Sequence, residues 1–158
     1  MRVGTGFDAH KLVKDRRFVL GGVNIPYEYG LDGHSDGDVL AHAIIDAILG
    51  AASLGDIGHH FPSNDKQYEN MSGLTLLGKV HEIISKHGWQ IGNLDATIVA
   101  EHPRLTPHVE RISQAISASL MLKPEQLNIK TKTTDGLGFT GRGEGIVAYA
   151  VACIEATS

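Results

Sequence analysis

The chain has 158 residues, 42% of them hydrophobic and 20% charged, with a formal net charge of -4. That composition fits one globular domain with its own core, and the negative balance argues against general nucleic-acid or acidic-membrane binding. No apolar run reaches membrane-spanning length, no signal-peptide core precedes the first strand pattern, and Cys153 is the single cysteine, so a cytoplasmic enzyme or binding protein is expected.

From the N-terminus, residues 2–9 read as a strand. In "TGFDAHKL" (5–12), Asp8 and His10 alternate and share a face with Gly4 and Gly6, while Val3, Thr5, Phe7 and Ala9 take the other. Solvated polar residues at a strand end account for this pair as well as metal ligation does. Residues 16–25 read as a second strand ending at Pro26, and 27–37, with three glycines and no period, as a loop. Ser35 and Asp38 fit a capping box that opens a helix over 38–53. Within it Asp38, His42 and Asp46 recur every fourth residue on one face.

Residues 54–65 form a further loop, and a helix over 72–87 stops at Gly88. Strand 89–100 leads to the turn "EHPRLTP", and a helix over 107–121 has Thr106 as its N-cap and Pro107 at its first position. Strands 127–134 and 145–156 finish the chain. The mixture predicts an α+β domain spanning 1–158, a single mixed sheet with helices on one face. "IVAYAVACI" (146–154) has no polar residue, so both its faces should be covered, one by helices and the other by a second subunit.

Asp8, His10 and His42 offer one carboxylate and two imidazoles, a set that suits zinc with one position open, as in catalytic sites. A fourth ligand from His34, His59 or His60 would make the site structural, and spacing alone does not separate the two. Asp46, one turn beyond His42, is placed to orient it. "GHSDGD" (33–38) puts His34 and Ser35 before a helix start, where N–H groups and hydroxyls favour anions. His34 there can donate to a phosphate or serve in acid–base chemistry. Asp56 can accept from a polyol or close an Asx turn. Lys132, Thr133 and Thr134 supply a cation and hydroxyls for phosphate oxygens, and Asp135 a hard oxygen ligand for magnesium. "GRGEG" (141–145) is followed by a strand pattern rather than a helix, so it is not a dinucleotide fingerprint. On these residues alone, a zinc hydrolase that activates water and a binding module with structural zinc stay open as alternatives.

Four motifs run in order over essentially the whole chain: "GxGxDxH" at 4–10, "GHSDGDVLxHA" at 33–43, "LGDIGHHFP" at 54–62 and "TTDGLGFTGRGEG" at 133–145. Together they resemble the 2-C-methyl-D-erythritol 2,4-cyclodiphosphate synthase family of the non-mevalonate isoprenoid pathway. The resemblance implies that Asp8, His10 and His42 hold zinc (Zn2+), with Asp8 and His10 also beside substrate. It implies that His34 and Thr133 stabilise the transition state and that Ser35 helps hold the phosphate. Asp56 and Gly58 would bind the methylerythritol part, with Ile57, Phe61 and Asp65 also against substrate.

The resemblance further implies a cytidine and diphosphate pocket from Ala100, Pro103, Arg104, Leu105 and Thr106 with Lys132 and Thr134. Asp135 would hold magnesium or manganese (Mg2+ or Mn2+). Implied too is a homotrimer with active sites between subunits, the open sheet face turned to its axis. Phe139 and Arg142 would line an axial cavity suited to an isoprenoid diphosphate. The reaction implied is intramolecular phosphoryl transfer that expels CMP from a small cytidylyl diphosphate substrate. Three positions depart from the family: Asp135 stands where Glu is usual, Lys132 where a threonine or small residue is common, and Ser63 where Asp is frequent.

Overall fold

The computed structural model describes residues 1–33 and 35–157. Strands β1 (Arg2–Lys14), β4 (Tyr29–Leu31), β5 (Trp89–Val99), β6 (Leu127–Lys132) and β7 (Gly145–Ala156) form one mixed sheet in the order β4-β1-β7-β5-β6. Its pairs are antiparallel except β5 with β6, which is parallel. The α+β expectation holds. Helices α1 (Val39–Ala52), α3 (Gly73–Lys86) and α4 (Val109–Leu120) pack on one face, and α2 (Ile57–His60) and α5 (Gly138–Gly141) are single turns.

The strand expected over 16–25 is a hairpin, β2 (Phe18–Leu20) and β3 (Val23–Ile25). Gly21 and Gly22 between them take positive φ of 54° and 72°, the conformation that closes a two-residue turn. The loop expected over 27–37 contains β4, which pairs with the far end of β1 from Leu12↔Leu31 to Lys14↔Tyr29. The cap of α1 also differs from the sequence reading. Asp38, not Ser35, is its N-cap and accepts from the Ala41 N–H at 3.1 Å. The same buried carboxylate accepts from Gly21 and Gly22 N–H at 2.9 and 2.8 Å, tying the hairpin turn to the helix start. Burial holds this carboxyl above its ordinary range, with Asp36 adding to the shift and the three N–H groups opposing it. Thr106 opens a 3-10 turn, Thr106–His108, and α4 begins only at Val109 with no side-chain cap.

A helix apolar on every side belongs in the core, and α1 is one. Eleven of its residues are buried, and His42 and Asp46 are its partly exposed polar exceptions. It lies unusually close to β1. A Cβ at Gly4 would fall 2.2 Å from the Ala47 carbonyl oxygen, and one at Gly6 would fall 1.8 Å from that of Ala43. Ala148, Ala150 and Ala152 of β7 continue this smooth seat, all buried.

The opposite face of the sheet has no such cover among the described residues. Val3, Phe7, Tyr149 and Val151 are 63, 54, 51 and 42% exposed there. The Phe7 and Tyr149 rings meet at a tilt, their centroids 5.1 Å apart, across the β1–β7 pair. Thus β7 is covered on one face only by its own helices. Among the described residues no helix is long and apolar enough to cross a membrane.

Candidate metal centre

Strand β1 carries Asp8 and His10 to the face that α1 covers, and α1 lowers His42 onto them. Asp8 Oδ2 lies 2.8 Å from His10 Nε2 and 3.1 Å from His42 Nδ1, and the two nitrogens are 3.3 Å apart. Three donor atoms from two elements therefore meet at one point. The rear nitrogens are also occupied: His10 Nδ1 donates to the Asp32 carbonyl, and His42 Nε2 lies 3.0 Å from Ser35 Oγ. With Nδ1 donating to Asp32, it is His10 Nε2 that would give up its proton and turn a lone pair to a metal at the front.

Electrostatics agree with this geometry. Burial alone would raise the Asp8 carboxyl, but hydrogen bonds from His10 and His42 outweigh it and hold Asp8 well below the usual carboxylate range. Burial alone would lower the His10 imidazole, yet the Asp8 carboxylate and the Asp32 carbonyl raise it. One carboxylate oxygen and two imidazole nitrogens so disposed fit a divalent metal. Among the described residues no fourth such ligand joins the group. His60 is turned away, its Nε2 donating to the Leu54 carbonyl at 2.7 Å. His34, expected beside a phosphate, lies outside the described residues.

Two sequence expectations change places here. Asp46 does not hold His42; its Oδ1 accepts from the Ile57 N–H at 2.8 Å, and burial raises its carboxyl against that hydrogen bond. Ser35, expected to cap the helix, is the residue that meets the back of His42. A cavity of about 260 Å³ opens beside the triad, lined by His10, Ser35, His42, Ile57, Gly58 and Phe61 among others. Asp56 caps α2 by accepting from the His59 N–H at 2.9 Å, which is the Asx-type role. Asp65 accepts from the Gln67 N–H and side-chain amide at 3.0 and 2.6 Å.

A second cavity of about 390 Å³ lies at the β6 edge. It is lined by Ala100, Pro103, Arg104, Leu105 and Thr106 together with Lys132 and Thr133, and its His102–Pro103 peptide is cis. Strands β7 and β5 stand between β1 and β6. Three strand spacings, roughly 14 Å, therefore separate the strand that bears Asp8 and His10 from the strand that bears Lys132.

Residues 1–155 match the profile of the YgbB family. The chain belongs to the YgbB family. It is 55% identical over 154 residues to the 2-C-methyl-D-erythritol 2,4-cyclodiphosphate synthase of Cyanothece sp., covering 98% of this chain and 96% of that protein. The bifunctional IspDF structure from Campylobacter jejuni superposes with a TM-score of 0.95 at 37% identity, covering 99% of this chain and 42% of that one. The CDP complex of IspF from Plasmodium falciparum superposes at 0.86 with 32% identity, covering 99% and 97%.

In this YgbB-family chain the remaining expected residues cluster after β6. Thr133 Oγ1 donates to Asp135 Oδ1 at 3.2 Å, and Thr134 Oγ1 donates to the Leu137 carbonyl at 2.6 Å. Asp135 is exposed, with a positive φ of 51°. Phe139 is 43% exposed, and Arg142 pairs with Glu144 of the same chain at 2.7 Å. Sequence reasoning missed Asp32, whose contribution is a main-chain carbonyl that no residue pattern reports, and Arg16, which grips the same loop.

Proposed function

We propose that this chain is a single-domain, cytoplasmic 2-C-methyl-D-erythritol 2,4-cyclodiphosphate synthase. It converts 4-diphosphocytidyl-2-C-methyl-D-erythritol 2-phosphate to the 2,4-cyclodiphosphate and CMP. The Asp8–His10–His42 triad, in a chain alike over nearly its full length to proteins of that name, carries the reading. A 2-phosphate oxygen attacks the β-phosphorus, the bond from that phosphorus to the oxygen bridging to the α-phosphate breaks, and CMP leaves with the electron pair. Such a transfer needs alignment and charge neutralisation rather than a covalent nucleophile.

Zinc held by Asp8, His10 and His42, and magnesium or manganese held by Asp135, would supply Lewis-acid neutralisation of the phosphates when bound. The chain's own groups align the rest. Ser35 helps hold a phosphate beside the triad, His34 stabilises the transition state, and Asp56 and Gly58 take the methylerythritol hydroxyls, with Asp65 also against substrate. Ile57 and Phe61 wall the cavity against water. Residues 100–106 hold the cytidine, Lys132 and Thr134 bind the diphosphate, and Thr133 donates to charge that develops on transfer.

The working unit we propose is a homotrimer in which the triad of one subunit faces the 100–106 and 132–135 segments of the next. Two observations support it: the separation of β1 from β6, and the exposed apolar face of Val3, Phe7, Tyr149 and Val151. An isoprenoid diphosphate beside Phe139 and Arg142 on the axis belongs to the same reading. It would have to compete with Glu144 for the arginine.

The test is CMP release from the cytidylyl substrate by the purified chain, before and after chelation. One cyclic diphosphate per CMP, lost on chelation and restored by zinc with magnesium, is the expected result. CMP released with an uncyclised, hydrolysed product would favour the zinc-hydrolase alternative and overturn the proposal.

A further inference from the structure

Segment 32–35 supplies both groups behind the triad, the Asp32 carbonyl on His10 Nδ1 and Ser35 Oγ on His42 Nε2. Gly33 also lies close against the imidazole: a Cβ there would sit 2.8 Å from His10 Cε1. Each end of the segment is anchored. The Asp32 N–H donates to the Lys11 carbonyl at 2.9 Å, and the Asp36 carboxylate accepts from Asp38 and Gly73 N–H at 3.1 and 2.9 Å.

Between those anchors the guanidinium of Arg16, in the bend after β1, reaches three acceptors. Its Nη1 donates to Asp32 Oδ1 at 3.0 Å, and its Nη2 donates to the Gly33 and Ser35 carbonyls at 2.6 and 3.0 Å. A planar fork with fixed donors sets the path of a loop in a way that a single ammonium does not. The Arg16 side chain is one-third exposed, so water can reach the acceptors that it serves. What water cannot restore is the position of the loop.

We infer that Arg16 is a positioning residue for the metal centre: it fixes Asp32, Gly33 and Ser35 so that Asp32 and Ser35 present the front nitrogens of His10 and His42 together. The inference rests on the metal-binding reading above. Partners that orient metal-ligating histidines typically contribute about 10–100-fold in metal affinity.

The experiment compares the parent chain with Arg16→Met and Arg16→Lys. Zinc affinity is read by competition with a chromogenic chelator, and the thermal midpoint of each metal-free protein is measured beside it. Arg16→Met should bind zinc about 10–100-fold more weakly, with a metal-free midpoint close to the parent's. Arg16→Lys should be nearly as weak, since one ammonium does not satisfy three spread acceptors. If Arg16→Met does not fold, Arg16→Lys alone decides by the same criterion. Zinc affinities within about twofold of the parent overturn the role of Arg16 and leave the metal reading intact. A metal-free midpoint that falls in step with affinity also overturns it, making Arg16 a general support of the fold. A parent that binds no zinc would instead remove the metal reading itself.

Discussion

At the β1 end of the sheet, Asp8, His10 and His42 are mostly buried, and each side chain meets the others or a fixed neighbour. At the β6 end, Lys132, Thr133 and Asp135 are exposed, and Thr133 and Asp135 bond chiefly to each other. The first cluster is assembled by a helix seated on a strand, so one chain holds its geometry unaided. The second is a turn whose exposed side chains bond, among the described residues, only within the turn, and in the proposed trimer the next subunit would be the surface that fixes them. A complete half and a waiting half within one chain are what a site shared between identical subunits requires, because a ring of head-to-tail contacts joins two different surfaces.

The most severe challenge to this contrast is His42→Ala. Zinc content and CMP release should both fall to background, while CDP binding at the β6-side cavity, read by calorimetry, persists. Full zinc occupancy in the purified variant would show that the triad is not the metal centre. Next in size is a mixture of His42→Ala with Thr133→Ala after enforced subunit exchange. Random reassembly joins intact halves at about a quarter of the interfaces, and about that share of parent activity should return. No recovery after verified exchange would mean that each site is built within one chain.

A smaller effect is expected at the outward-reaching half. Asp135→Ala should raise the magnesium needed for half-maximal turnover by about 10–100-fold, the scale of one charged contact, and leave zinc content unchanged. Asp135→Glu should stay active; an unaltered magnesium titration in the alanine variant would count against the assignment. Smallest is Asp46→Asn. The amide oxygen can still accept from the Ile57 N–H, so zinc affinity should change by less than about tenfold. A larger loss would return Asp46 to the His42-orienting role that its helical spacing suggested.

Much of this architecture is legible in local patterns. Alternation along the first strand correctly places Asp8 and His10 beside Gly4 and Gly6, while four-residue spacing groups His42 with Asp38 and Asp46 without tying it to that strand. What local patterns miss is tertiary competition. Ser35 and Asp38 satisfy a capping rule, yet the Gly21 and Gly22 N–H groups need a buried acceptor and draw Asp38 into the cap position itself. Strand β4 is hidden in a glycine-rich stretch because its partner, the far end of β1, is distant in sequence. Asp46 has the spacing to serve His42, but its carboxylate accepts from the Ile57 N–H instead. The Gly-Gly pair at 21–22 is itself a hairpin signal, masked by the apolar run that its flanking residues continue.

The close seating of α1 on Gly4 and Gly6 has a consequence for how this sequence can drift. The two glycines act as a gauge block, setting how far the helix stands off the strand and hence how far His42 stands from Asp8 and His10. Neither glycine has a functional group, yet any side chain there would push against helix backbone rather than against a flexible neighbour. Under selection for activity, positions 4 and 6 should therefore tolerate as little change as the ligands, and Ala43, Ala47 and Ala51 across the contact little more. Loss of function at this centre can begin in residues that touch neither metal nor substrate.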